Sequence, residues 1–228
     1  MRKLMAVLIC MFILSPKASA AETKYAALIV VGGPNAAATE KLLDGLAERN
    51  AKATFFLRGE NLSAYPELGQ RMASEGHELA LEGYSAGSMA DFSRRKVAKS
   101  FADTRALLPE GAHARFLLPP EGICSDAVRQ VAEVTGLALI RCQLDIRGWA
   151  AEENTTRIAP AVELVRDGDL VLLSDAGTPA VNTSLAMADR LAQEGFRFVT
   201  LSELARRRGV LIHPGRTYTA FPPTIEEG

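Results

Sequence analysis

The chain carries three histidines, His77, His113 and His213, and no two of them are four residues apart. A tetrahedral metal centre takes about three protein ligands from His, Cys, Asp and Glu. No such set clusters here, there is no Asp-Asp pair, and Cys124 and Cys142 lack a neighbouring His or Cys at finger spacing. The residues therefore point to no metal and to no other cofactor. Ser174 stands beside Asp175, but a serine nucleophile needs a nearby base and oxyanion donors, and a serine in a loop after a strand is the plainer reading. Gly32-Gly33-Pro34 lacks the spacing and the lysine of a phosphate-binding loop. Glu82, Asp145 and Asp175, with Arg147, could form a polar cluster. Two convergent carboxylates can hydrolyse a glycoside; a solvated rim of charge competes with that reading.

These residues belong to a chain of 228, 48% hydrophobic and 23% charged, the composition of a globular domain. Lys and Arg total 26 against 27 Asp and Glu, so the basic footprint of a nucleic-acid binder is missing. Arg2 and Lys3 precede an apolar run over residues 4–14 and then Ala18-Ser19-Ala20, the pattern of a secretory signal peptide over 1–20. The run is too short for the roughly 20 residues that span a bilayer. Cys10 follows Val7-Leu8-Ile9 rather than the small residues that precede a lipidated cysteine. The expectation is an exported protein, periplasmic or extracellular, without a membrane span after cleavage. Oxidising surroundings permit Cys124 and Cys142 to pair, and two buried thiols remain an equal alternative.

Periodicity predicts what positions the candidate residues. Continuous apolar runs at 25–31 and 170–173, a β-branched and aromatic stretch at 53–57, and strand-like stretches at 77–81, 115–118, 137–144 and 196–200 give seven strands. Helices are predicted over 37–49, 66–75, 91–108, 125–135, 156–166, 181–192 and 201–208. Pro66 starts one of them, Ser125 caps another, and Gly136 stops it. Strands alternating with helices make a parallel α/β sheet, open or closed into a barrel, in a single domain. Ligand sites in such folds lie at the carboxyl ends of the strands, after Val31, Leu81, Leu118, Leu144 and Leu173. Residues 21–208 form the expected domain, with an irregular tail over 209–228.

Ala53-Thr-Phe-Phe-Leu57, Gly59-Glu-Asn61, Tyr65-Pro-Glu-Leu68 and Glu75-Gly-His-Glu-Leu79 resemble the NodB-homology polysaccharide deacetylases, carbohydrate esterase family four. Pro119-Pro120-x-Gly122, Asp145-x-x-Gly148-Trp149, 168–173 and 198–204 extend the resemblance to nearly the whole chain after residue 26. It implies a distorted seven-stranded (β/α) barrel. The implied chemistry removes an acetyl group with a zinc-like ion held by one Asp and two His, a second Asp as base and a His as acid. At those positions this chain has Val31, Gly32, Glu82 and Ala86, then Leu118 for the Arg that steadies the base, Gly148 for the Asp that orients the His, and Ser174 for the catalytic His. Glu82 alone could ligate or titrate. His77 matches a family histidine that is not a metal ligand, which implies a structural role.

The expected protein is a polysaccharide-deacetylase-like relative without catalysis. It would bind a polysaccharide or peptidoglycan ligand or regulate an envelope protein partner, with Glu82, Tyr84, Asp145, Trp149, Ser174 and Asp175 lining the groove. Tyr84 and Trp149 fall where the family has groove aromatics, although a lone Trp is as often core. The alternatives are a divergent carbohydrate deacetylase or hydrolase cleaving carbon–nitrogen or ester bonds by a non-standard mechanism, and a protein-binding scaffold.

Overall fold

A computed structural model describes residues 23–145 and 158–223, so the leading segment and Arg147, Gly148 and Trp149 lie outside the described residues. Strand β1 (Lys24–Val31) is the hub. It pairs in parallel with β2 (Ala53–Arg58) and with β7 (Leu170–Ser174), and its first residues pair with β8 (Phe196–Phe198). Outward from β2 follow β3 (Glu78–Gly83), β4 (Phe116–Leu117), β5 (Ala138–Ile140) and β9 (Thr217–Tyr218), and outward from β7 lies β6 (Leu144–Asp145).

Every ladder is parallel and helices supply the crossovers, the barrel-like single domain that the alternation of elements predicts. Among the described residues the strands number nine rather than seven. Residues 137–144 divide into β5, whose ladder with β9 ends where the Arg141 N–H donates to the Tyr218 carbonyl, and β6, which pairs with β7 at the other end of the sheet, and β9 comes from the predicted tail. That region is no loose appendage: Tyr218 and Phe221 are buried, and the Phe221 N–H bonds the Gly168 carbonyl at 2.7 Å.

Side-chain alternation along the strands builds two walls. Ala26, Leu28, Val30, Phe55, Leu57, Val171 and Leu173 face outward against α1 (Ala36–Glu48) and α7 (Thr178–Gln193). Ala27, Ile29, Val31, Phe56, Ala80, Leu170 and Leu172 face inward. A third cluster packs Leu81, Leu117 and Leu139 against α4 (Arg94–Arg105) and α5 (Asp126–Val134). The remaining α-helices among the described residues are α2 (Gly59–Ala64), which the periodicity did not predict, α3 (Pro66–Ser74), α6 (Ile158–Val162) and α8 (Leu201–Arg207).

Helix α8 closes the barrel at the amino ends of the strands. Leu201, Leu204 and Ala205 join the inner cluster, the Leu201 N–H donates to Thr54 Oγ1 at 2.9 Å, and the Ser202 N–H donates to Glu78 Oε2 at 3.0 Å. Ser125 caps α5 as expected, accepting from the Val128 N–H. Cys124 packs against the third cluster and Cys142 against the inner one.

His77 performs the structural work expected of it. Its Nδ1 accepts the Ala53 N–H at 3.1 Å and its ring meets Phe55 edge-on at 5.2 Å. Burial, with Lys52 nearby, pushes the imidazole down to about 4.

Candidate functional site

The family position of greatest interest lies on the inner wall at the carboxyl ends of β1, β2, β3 and β7. Val31 ends β1 and the chain turns through Gly32, whose φ of +97° suits glycine. Glu82 follows Ala80 on the inward face of β3 and is buried. Between Leu57 and Arg58 the β2–β3 register slips, setting Arg58 opposite Gly83. From there the Arg58 guanidinium grips Glu82 Oε1 through Nε at 3.1 Å and Nη2 at 3.0 Å. The other carboxylate oxygen, Oε2, accepts the Gly32 N–H at 3.2 Å. A buried carboxylate is tolerable when it is paired and hydrogen-bonded in this way.

Asp175 lies on the other side of the same turn and is fully buried. Thr39 Oγ1 donates to its Oδ2, and Asn35 Nδ2 donates to its Oδ1 at 3.3 Å and to its backbone carbonyl at 3.2 Å. A Cβ on Gly33 would fall 2.1 Å from Asp175 Oδ2, so only glycine lets the carboxyl press against the turn. Asn61 Nδ2 and Asn35 Nδ2 both donate to the Gly32 carbonyl, at 2.8 and 3.1 Å. Burial pushes the Asp175 carboxyl up to about 6 against the pull of the Thr39 and Asn35 hydrogen bonds, and the Glu82 charge adds to the rise.

The other candidates are dispersed. Ser174 is buried, with its Oγ accepting the Ala176 N–H at 3.1 Å and its backbone N–H and carbonyl engaged by Ser184. Tyr84 is 37% exposed and its ring lies over Gly59, where a Cβ would come within 2.4 Å. Asp145 is exposed at the end of β6, opposite Leu172. Trp149 lies outside the described residues. Glu82 and Asp175 are thus brought to one turn, while Tyr84 and Asp145 sit apart on the surface.

Arg58, Asn35 and Thr39 went unnoticed in the sequence, and Asn61 was noted there as part of a family motif and not as a site residue, although each engages one of the two carboxylates or the turn between them. The available signal was Arg58, a cation at the end of a buried apolar strand. Among the described residues no group of three or more His, Cys, Asp or Glu is arranged to hold a metal. A zinc-like ion does not fit here: to reach Glu82 it would have to displace both Arg58 and the Gly32 N–H, and Val31, Gly32 and Ser174 offer it no carboxylate or imidazole.

Two buried groups give opposite responses to acid. His77 gains proton affinity on unfolding, so its contribution to stability is present above about 6.5 and is lost as pH falls through 4. Asp175 holds its proton more tightly when folded, so its contribution is present below about 3.8 and is lost as pH rises through 6. Relative to wild type, His77→Gln should flatten the loss of stability on acidification between these limits and Asp175→Asn should steepen it. Each difference should reach about 2–3 kcal/mol, read from urea unfolding at successive pH values; parallel curves for all three proteins would contradict the assignment.

Residues 19–140 match the polysaccharide deacetylase family. The chain is 30% identical over 189 residues to a peptidoglycan-N-acetylglucosamine deacetylase of Bacillus cereus, covering 80% of this chain and 89% of that protein. It is 32% identical over 164 residues to a chitooligosaccharide deacetylase of Sinorhizobium fredii, covering 69% and 76%. Its structure is similar to a family 4 acetyl xylan esterase from Clostridium thermocellum in complex with a cobalt ion, with a TM-score of 0.79 and 30% identity over 87% of this chain and 100% of that one. Sequence motifs, sheet order and these matches agree, and the chain belongs to the polysaccharide deacetylase family.

Proposed function

We propose that this protein is an exported, non-catalytic member of the family that binds a cell-envelope or extracellular glycan. The Arg58–Glu82 ion pair carries the reading, because a guanidinium, fixed by two hydrogen bonds and complemented by the Gly32 N–H, takes up the one carboxylate left at the family's metal position. The replacements at Val31, Gly32, Ala86 and Ser174 leave neither an ionisable base nor an acid to finish the reaction. Relatives named as deacetylases of peptidoglycan and chitooligosaccharides indicate the substrate class to try as ligand. The exposed Tyr84 ring offers a face on which a sugar can stack.

A hydrolase built on the carboxylates gains nothing from this arrangement. Asp175, with its raised proton affinity, resembles a general acid, yet it is fully buried behind Gly33, and Glu82 is bound to Arg58.

The chain beginning at Ala21 should retain no stoichiometric zinc after incubation with excess metal and desalting, and should release no acetate from chitooligosaccharides. It should nevertheless give a saturable binding isotherm with the same sugars, weakened by Tyr84→Ala. Turnover abolished by Glu82→Gln would overturn the non-catalytic reading, and the absence of any glycan binding would overturn the ligand.

A further inference from the structure

At the end of the molecule opposite the Glu82 turn, a cleft of about 360 Å³ opens beside the amino ends of β1 and β8. Such a volume suits a ligand of sugar size. Tyr25, Arg49, Asn50, Arg197 and Arg207 line it with Phe196 and its neighbours, and among the described residues no acidic side chain does.

Two of the arginines are fixed from behind. Asp189 holds Arg49 through Nε at 2.7 Å and Nη2 at 2.9 Å, while Arg49 Nη1 bonds the Gly45 carbonyl. Glu48 lies 3.5 Å from the same guanidinium. Glu203 pairs with Arg207 Nε at 2.7 Å, and Arg207 Nη1 donates to Tyr25 Oη at 3.3 Å with the guanidinium 4.5 Å from the ring centre. Farther round, Arg208 is engaged by Asp167.

Donors remain. Arg197 projects from the exposed face of β8 and makes no side-chain hydrogen bond or ion pair among the described residues. Asn50, at the left-handed φ of +49° that ends α1, likewise has an unused side-chain amide among them. The Tyr25 hydroxyl accepts from Arg207 and keeps its own proton to donate. Anchored guanidiniums lose little freedom on binding, and hydrogen bonds from them to an oxyanion are charge-assisted.

We propose that this cleft is an anion-binding site for a phosphate or carboxylate group carried on a sugar-sized ligand, with Arg197 making the principal contact and Arg207, Tyr25 and Asn50 completing it. The site is independent of the Glu82 turn and of any glycan bound there.

Titration calorimetry at low ionic strength with inorganic phosphate, and separately with glucuronate, tests it and distinguishes the two sources of charge. Saturable binding of either probe is expected, with affinity reduced about tenfold or more by Arg197→Gln, weakened by added salt, and unchanged by Arg95→Gln, which alters an arginine on α4 that does not line the cleft. Phosphate alone, or glucuronate alone, would support the site and name the group it takes. Failure of both probes to saturate the wild-type chain would overturn the proposal, as would equal affinity in the Arg197→Gln protein. A matching urea midpoint shows that this exposed substitution leaves the fold intact.

Discussion

A chain ending at Arg208 should fail to reach a stable fold, even though residues 209–228 read in sequence as an irregular tail. Thr217 and Tyr218 pair with Leu139 and Ile140 of β5. Tyr218 Oη accepts the His213 N–H and donates to the Leu211 carbonyl, tying the loop before the strand. Phe221, 1% exposed, stacks on Tyr218 at 5.4 Å and joins the inner cluster with Leu201 and Leu204. Its carbonyl lies so close to Gly168 that a Cβ there would meet it at 2.0 Å. Loss of one such buried phenyl ring costs about 3–5 kcal/mol, against a total of roughly 5–15 kcal/mol for a domain. Truncation removes that ring, Tyr218 and the β9 ladder together. Circular dichroism with urea titration should show no cooperative transition for the truncated chain, and a midpoint for Phe221→Ala well below wild type. A truncated protein that unfolds at the wild-type midpoint would mean that the tail contributes nothing.

Arg58→Met should be the most damaging substitution at the candidate site. It preserves much of the side-chain volume but leaves the buried Glu82 carboxylate with the Gly32 N–H as its remaining described donor. Stranding one partner of a buried ion pair costs about 3–5 kcal/mol, and the partial exposure of Arg58 places the expectation at about 2–4 kcal/mol. Adding Glu82→Gln removes the stranded charge, so the double variant should regain much of the loss. A double-mutant cycle from urea unfolding measures this coupling; additive losses would show that the two side chains do not stabilise each other. Arg58→Met should remain unable to retain zinc, since freeing Glu82 supplies one ligand where about three are needed.

The elements legible in sequence were those with a strong local signal. β1 and β7 are unbroken apolar runs because both of their faces are covered, and α3 and α5 announce themselves through Pro66 and Ser125. Short elements carry no period: β9 has two residues, and β6 was absorbed into the preceding apolar run. Helix α2 follows β2 without a break and is six residues long, too short to show a helical period. At the site, the family motifs led to Glu82 and the Ser-Asp pair led to Asp175. What escaped was their burial and their partners, since no local pattern says that Arg58 will meet a side chain 24 positions away or that Thr39 will meet one 136 positions away. Those pairings follow from the order of strands in the sheet, a property of the whole chain.

The ends of the described sheet have a bearing on how copies of this protein meet. One of its margins, β9, is two residues long, and β8, which pairs with β1 off the main path, is three. A long, flat margin of unpaired amides and carbonyls invites a second chain to zip on and seed aggregation. Margins this brief offer an incoming strand a foothold of one or two hydrogen bonds, too few to offset the entropy of ordering it. Concentrated solutions should therefore resist growth by strand addition at these margins, leaving encounters between copies to side chains on the helical exterior.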